Sequence, residues 1–320
     1  MQRIVQFVVA LVLLLLVFTG CATQVAVERL IPAKYSMADY RELTLLAVKP
    51  YRFFLNEAPS YVVKDLSGNA PFKVFSGYGN FFERELANNL DRELRNKLAL
   101  RDYFLLTESS REAYLDVEVK RLEVEEYIWA RKETSDEGQE ETLYNLQQKL
   151  LLEVAFQVVD VKTGRTVYSD AYYRRKEFSY ALDVEKGPTI YAPSLSHSLL
   201  EMGKELIGEV ADALTPRREI VTFSLMSNKP KIERLEEAYK AVEEGRLNYA
   251  YDLFLSEFRR SGQVAAGYNA ALIMEAQQNR AEAIDLMRQV YHQSASAKVK
   301  RQLDRMIRYQ AEQGEAERQF

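Results

Sequence analysis

The sequence predicts an α+β module, with a mixed β-sheet and helices packed on it, followed by an all-α domain. Strand-like apolar runs and amphipathic patterns alternate through the first two thirds, whereas no proline follows Pro230 and the last third has a helical pattern throughout. A short apolar segment precedes both. We therefore expect a secretion signal (1–20), a tether (21–40), the α+β module (41–226) and the helical domain (227–320).

Composition excludes several classes of protein. The 320 residues are 47% hydrophobic and 28% charged, as in ordinary globular proteins, and the chain is long enough for two cores. Its 43 basic and 47 acidic residues give a formal charge of −4, and they form no basic stripe. We therefore expect no nucleic-acid partner.

The first residues have the pattern of an export signal. Arg3 is the only charge before the run Ile4–Phe18, which is apolar apart from Gln6, and the small residues Thr19 and Gly20 follow it. A positive start, a short apolar run and small residues at the end are typical of a cleaved secretory signal. A run of about 15 residues is shorter than the ~20 that span a bilayer, although an uncleaved anchor is the alternative.

Cys21 is the only cysteine, so it has no partner for an intramolecular disulfide. The segment Val17–Cys21 resembles the lipobox of bacterial lipoprotein precursors, with Phe18 where an aliphatic residue is usual. The resemblance implies cleavage before Cys21 and a diacylglycerol on its sulfur, and several acyl chains suffice for stable anchoring. Ala22 follows, not the aspartate that favours inner-membrane retention. We therefore expect the outer membrane, on its periplasmic face.

The elements of the module follow in order. A buried strand is expected over Leu43–Tyr51, a loop over 56–76, and an amphipathic helix over Gly77–Leu100, where apolar residues recur three or four apart. Further strands are expected over 102–108, 113–128, 150–161 and 166–175, and a last helix over 193–214. A turn at Asp160–Arg165 joins the last two strands as a hairpin. This order predicts helices on one face of a mixed sheet.

Four segments carry a family resemblance. LAVKP, a leucine-spaced helix, DYFLLTE and VVDVKTGRTVYSD come in this order within residues 40–215. They resemble the lipoprotein superfamily that includes the curli secretion subunit, the TolB N-terminal domain and a lipoprotein activator of peptidoglycan synthases. The resemblance implies an envelope module that binds proteins or self-assembles. A generic hairpin is the alternative interpretation of Asp160–Ser169.

The last third repeats. Ala238 and Ala271 are 33 residues apart, and so are Ala250 and Ala283. Two helix pairs with small residues at this spacing resemble tetratricopeptide repeats, and a capping helix follows from about Ala295. Two repeats are fewer than the usual three, so we expect them to pack against the capping helix and the neighbouring domain for stability.

The repeat resemblance implies a concave face that binds extended partners. Tyr239 and Asn269 fall on the inner helices, at positions that line this face, and are candidate partner-binding residues. Asn269 also matches one position of a carboxylate clamp, but Leu235 and Tyr239 do not match the others, so we expect no such clamp. The alternative is that Tyr239 only packs between helices.

No motif indicates catalysis. His197 and His292 lie in separate predicted helices without metal-ligand spacing, and no GxSxG, HExxH, P-loop or GxGxxG motif is present. Gly77–Gly79 is interpreted as a helix-entry turn, and the acidic runs 123–126 and 136–141 as solvated strand ends and loops. We predict that the chain is not an enzyme and holds no cofactor or metal.

The functional prediction is a membrane-anchored envelope lipoprotein that acts as a protein-binding adaptor or assembly factor. The alternative is an oligomeric, ring-forming subunit of an outer-membrane secretion or export complex. A pore would need two membrane hairpins with strands of ~9–11 alternating residues. The candidate insertion 127–149 is charged and lacks alternation, and 176–193 is too short. We therefore expect envelope proteins, or further copies of the chain, as partners, and no pore.

Overall fold

The computed structural model describes residues 23–51, 62–78, 83–134, 140–183, 187–229 and 231–320. The signal segment and Cys21 therefore lie outside the described residues. The strands are β1 (Gln24–Ile31), β2 (Glu42–Leu45), β3 (Lys64–Asp65), β4 (Lys73–Phe75), β5 (Leu105–Thr107), β6 (Ala113–Thr134), β7 (Glu140–Asp160), β8 (Thr166–Leu182), β9 (Thr189–Tyr191) and β10 (Arg217–Ser224). The helices are α1 (Glu83–Arg101), α2 (Ser196–Leu214), α3 (Glu233–Glu243), α4 (Leu247–Ser261), α5 (Val264–Ala276), α6 (Arg280–Ser294) and α7 (Ala297–Gln319).

The chain divides into two compact units. One, here called the module, comprises Ala33–Pro216 together with Gln319–Phe320. The other, the helical unit, comprises Arg217–Arg318 together with the described residues 23–32.

The module is built on a mixed sheet with the strand order β5-β2-β6-β7-β8. Strand β2 runs parallel to β5 and β6, whereas β6, β7 and β8 are antiparallel. The predicted mixed sheet with helices packed on it is therefore confirmed. Helices α1 and α2 pack against each other, and α2 also contacts β7 and β8.

The module core explains why these segments form helices. Each helix has one face of buried apolar residues, which on α1 lie four positions apart: Leu86, Leu90, Leu94 and Leu98. Gly203 on α2 permits the close approach, because an added Cβ there would lie 2.5 Å from Leu90 Cδ2. The apolar stripes pack with inward side chains of β6 and β7 in one core.

Three strands are longer than the sequence predicted. The charged stretch 131–141, expected to interrupt the sheet, continues β6 and β7 as far as the pair Thr134↔Glu140, and β8 continues to Leu182. Antiparallel hydrogen bonding extends the strands where their side chains are charged and exposed, which periodicity alone does not reveal. Residues 135–139 lie outside the described residues.

A second, smaller core surrounds the far ends of these strands. It contains five buried apolar residues, three of them on β4, β6 and β7 and two beside β3 and β4. They are Val74, Ile128 and Leu146 on the strands, with Val63 and Phe72 beside them. Strands β3 and β4 therefore lie where the sequence predicted only loop. Strand β2, in contrast, ends at Leu45, before the predicted end at Tyr51.

The helical unit contains the expected helix pairs. Consecutive helices from α3 to α6 pack on each other, and α7 follows. The four alanines of the repeat, Ala238, Ala250, Ala271 and Ala283, are all fully buried. The predicted helical domain is confirmed as helical, and its membership of the tetratricopeptide class stays a prediction.

The tether prediction is wrong for residues 24–31. They form β1, which pairs antiparallel with β10 from Gln24↔Ser224 to Ile31↔Arg217. We call this pair the β1–β10 ribbon. Val25 and Val27 are buried and the intervening Ala26 is exposed, which is the alternation of a half-buried strand. The ribbon belongs to the helical unit, so residues 217–226 do not group with the module.

Candidate functional site

Tyr239 and Asn269, the two residues predicted to bind a partner, come together in the helical unit. Tyr239 lies on α3 and Asn269 on α5, and Asn269 Nδ2 donates a hydrogen bond to Tyr239 Oη at 2.8 Å. The Tyr239 ring also meets Phe254 of α4 edge-on, with centroids 5.1 Å apart. Burial raises the pKa of Tyr239, while the hydrogen bond from Asn269 opposes this shift.

Both side chains bind a segment of the same chain that follows β10. The Met226 N–H donates to Asn269 Oδ1 at 2.7 Å, and Asn269 Nδ2 donates to the Met226 carbonyl at 2.9 Å. The Tyr239 hydroxyl donates to that same carbonyl. Asn269 is fully buried. These two residues therefore have an internal role, and their contact with another protein stays a prediction.

Charged residues hold the β1–β10 ribbon elsewhere. Arg305 of α7 forms two 2.5 Å hydrogen bonds with the buried carboxylate of Glu275, and its guanidinium lies 4.0 Å from the Phe223 ring centroid. Arg280 donates to the Glu28 carbonyl, and burial lowers the pKa of Arg280. Sequence reasoning missed these contacts because a charged residue on an amphipathic helix is usually solvated.

The main chain at Gly77, before α1, binds a carboxylate of the chain itself, whereas Gly79 lies outside the described residues. The Gly77 N–H donates to Glu126 Oε1 at 3.1 Å, Gln148 Nε2 donates to the same oxygen at 2.6 Å, and Ser76 Oγ bonds the other. Glu126 is only 7% exposed. The interpretation of residues 123–126 as solvated is therefore wrong for Glu126. Gly77 is required because an added Cβ would lie 1.9 Å from the Pro193 carbonyl oxygen.

The edge of the module sheet is the second candidate surface. Strand β8 is 17 residues long and pairs with β7 along one edge, and no strand within the described ranges pairs with its other edge. On one face Arg174 bonds Glu205 and Glu209 of α2, whereas on the other Tyr173 is 61% exposed. A long unpaired edge offers main-chain groups to an added strand. Sequence reasoning missed this length by treating 176–193 as an insertion.

A polar groove of about 460 Å³ lies on the same sheet. Asp116 Oδ2 accepts hydrogen bonds there from Lys49 Nζ at 2.6 Å and from Gln157 Nε2 at 3.1 Å. Small side chains, Ala155, Ser169 and Ala171, also line it. Its charged lining suits polar side chains of a partner more than an apolar ligand.

Among the described residues, no group of three or more His, Cys, Asp or Glu residues is placed to hold a metal ion. None of the helices described is both long enough and apolar enough to cross a membrane. His197 lies on α2 in the module and His292 on α6 in the helical unit.

Comparison with known proteins gives distant likenesses to solved structures. No family model and no curated protein matches the chain. Among solved structures, the PelC dodecamer from Paraburkholderia phytofirmans is 13% identical with a TM-score of 0.24, covering 59% of this chain and 97% of that one. A Xanthomonas campestris protein of the family DUF330 is 11% identical with a TM-score of 0.30, covering 57% and 86%. A minor lipoprotein from Acinetobacter baumannii is 12% identical with a TM-score of 0.22, covering 54% and 87%. At these TM-scores the likenesses establish no shared function.

Proposed function

We propose that this chain is an envelope lipoprotein, anchored by lipid on Cys21 in the outer membrane and facing the periplasm. It acts as a protein-binding adaptor or assembly factor and is not an enzyme. The anchor rests on the export-signal pattern and on the lone cysteine at its end.

The observation that carries the adaptor proposal is the unpaired edge of β8. An extended segment of another protein can add to such an edge through main-chain hydrogen bonds, and alternate side chains then set specificity. Tyr173 and Arg175, which are exposed beside this edge, offer an aromatic surface and a positive charge. The partner segment is therefore extended and carries an acidic residue opposite Arg175.

The inner face of the helical unit is a weaker candidate for the partner surface. Asn269 and Tyr239 already form hydrogen bonds with the main chain of Met226. A partner that replaced this segment would have to leave the Met226 N–H and carbonyl without partners, or bond them anew. We therefore assign partner binding to the module sheet.

The same edge favours a second candidate function, a self-associating subunit of an outer-membrane secretion or export complex. In that case the strand added to β8 comes from another copy of the chain. Identical chains that join through unlike surfaces form closed rings or open filaments.

In-cell crosslinking of the tagged full-length protein, followed by mass spectrometry, tests both functions. Crosslinks between β8 and a foreign envelope protein would support the adaptor. Crosslinks from β8 to the same chain alone would favour the subunit. Crosslinks to other proteins that avoid β8 altogether would contradict the assigned surface.

A further inference from the structure

The last two residues of the chain, Gln319 and Phe320, lie within the module. The side-chain amide of Gln319 pairs with the main chain of Ala33: the Ala33 N–H donates to Oε1 at 2.8 Å, and Nε2 donates to the Ala33 carbonyl at 3.1 Å. Gln319 is 6% exposed. A buried amide that pairs with both the N–H and the carbonyl of one residue is a specific contact, which few other side chains could replace.

Two further residues bind the carbonyls at the end of α7. The Tyr103 hydroxyl donates to the Gln319 carbonyl at 2.5 Å, and Arg41 Nη2 donates to the same carbonyl at 3.2 Å and also to that of Phe320. The last carbonyls of a helix have no partner within the helix, and a cation there is favourable. Arg41 and Tyr103 therefore provide the hydrogen-bond donors that the last carbonyls of a helix lack.

The module holds these residues in place by its own contacts. The Arg41 and Glu42 N–H groups donate to one carboxylate oxygen of Glu112, at 2.6 and 2.8 Å. The Arg41 guanidinium lies 4.9 Å from the Tyr103 ring centroid, and Tyr103 is 5% exposed. The Phe320 ring meets Tyr103 edge-on at 5.5 Å while remaining 59% exposed.

We propose that Ala33, Arg41 and Tyr103 form a recognition site for a helix end that carries glutamine followed by an aromatic residue, and that a second copy of this chain can supply that end. Gln319–Phe320 is the segment that the site fits, and every copy presents it. Exchange of a short identical element between copies costs little, because the same contacts form again. This inference does not depend on β8.

A labelled peptide with the sequence QGEAERQF, which reproduces residues 313–320, tests recognition in trans. We expect it to bind the full chain that lacks only residues 319–320, as measured by fluorescence anisotropy. A peptide with Gln319→Ala should bind at least about tenfold more weakly, because buried hydrogen bonds are lost. Arg41→Ala in the truncated chain should abolish binding, and the exposed Arg92→Ala should leave it unchanged. Circular dichroism checks folding, and the full chain with Gln319→Ala replaces the truncated chain if the latter unfolds.

Two differently tagged copies of the intact chain test the exchange. We expect them to co-purify, and Arg41→Ala but not Arg92→Ala to abolish this. Absence of peptide binding to a folded open-site variant, or failure of intact copies to co-purify, would overturn the proposal. Neither result bears on crosslinks from β8, so failure of this inference and failure of the proposed function are distinguishable.

Discussion

Asn269 forms two hydrogen bonds with the main chain of Met226, one to its N–H and one to its carbonyl. Both lie in the helical unit, where Asn269 is fully buried on α5. The side chain expected to meet a partner therefore stabilises the chain's own fold.

Replacement of Asn269 by alanine should lower the free energy of unfolding by about 1–3 kcal/mol, because the Met226 N–H and carbonyl lose buried partners. Chemical denaturation of the purified protein measures this change. The exposed Asn248→Ala is the matched control and should cost much less. Equal stability of the two variants would show that the Asn269 contacts contribute nothing.

Gly267 should tolerate no side chain. An added Cβ would lie 2.5 Å from Val290 Cγ2 and 2.7 Å from Phe258 Cδ2, so Gly267→Ala should destabilise the protein by about 1–3 kcal/mol. Gly314 on α7 has only the Arg318 Nη1 atom at 3.8 Å, so Gly314→Ala should stabilise the helix by about 1 kcal/mol. Thermal unfolding compares the two, and shifts of the same sign would contradict the helix packing described.

Glu112 should make stability depend on pH. Hydrogen bonds from the main-chain N–H groups of Glu42 and Arg41 lower its pKa below the ordinary value of 4.5, although burial opposes them. The stabilisation is therefore complete above 4.5 and is lost as the pH falls through the lower native pKa. Glu112→Gln should be less stable than the natural protein at neutral pH, and the difference should shrink in acid. Urea unfolding across this range measures it, and a pH-independent difference would refute the charge's role.

Cys21→Ser should release the protein from the membrane, because no lipid can then be attached. Fractionation of cells follows the tagged protein between membrane and soluble fractions, and Ala22→Asp should move the anchored form to the inner membrane. A Cys21→Ser protein that stays with the membrane would favour an uncleaved apolar anchor.

The sequence predicted the parts of the fold that have local periodicity. Leucines four apart on α1, alternating residues in β6 and the turn at Asp160–Arg165 between β7 and β8 located the module elements. The 33-residue spacing located the helix pairs. The β1–β10 ribbon was missed because its two strands lie at opposite ends of the module sequence, and no local pattern reports such a pairing.

The candidate sites were predicted only in part. Tyr239 and Asn269 do meet, since both fall on inner helices, but their contact with Met226 depends on where β10 ends. Nothing in the sequence marked Arg41 and Tyr103 as site residues, because an arginine before a strand and a tyrosine after a helix are common. Their joint contact with Gln319 is tertiary and needed the structure.

Site-specific photocrosslinking in cells tests the central claim, that β8 is the surface at which this lipoprotein binds its partner. A photoreactive amino acid replaces Tyr173 on β8, and Tyr249 of the helical unit, which is 40% exposed, is the matched control. We expect a crosslink to one envelope protein from position 173 and none from position 249. Crosslinks to that protein from position 249 alone, or no crosslink from position 173, would contradict it.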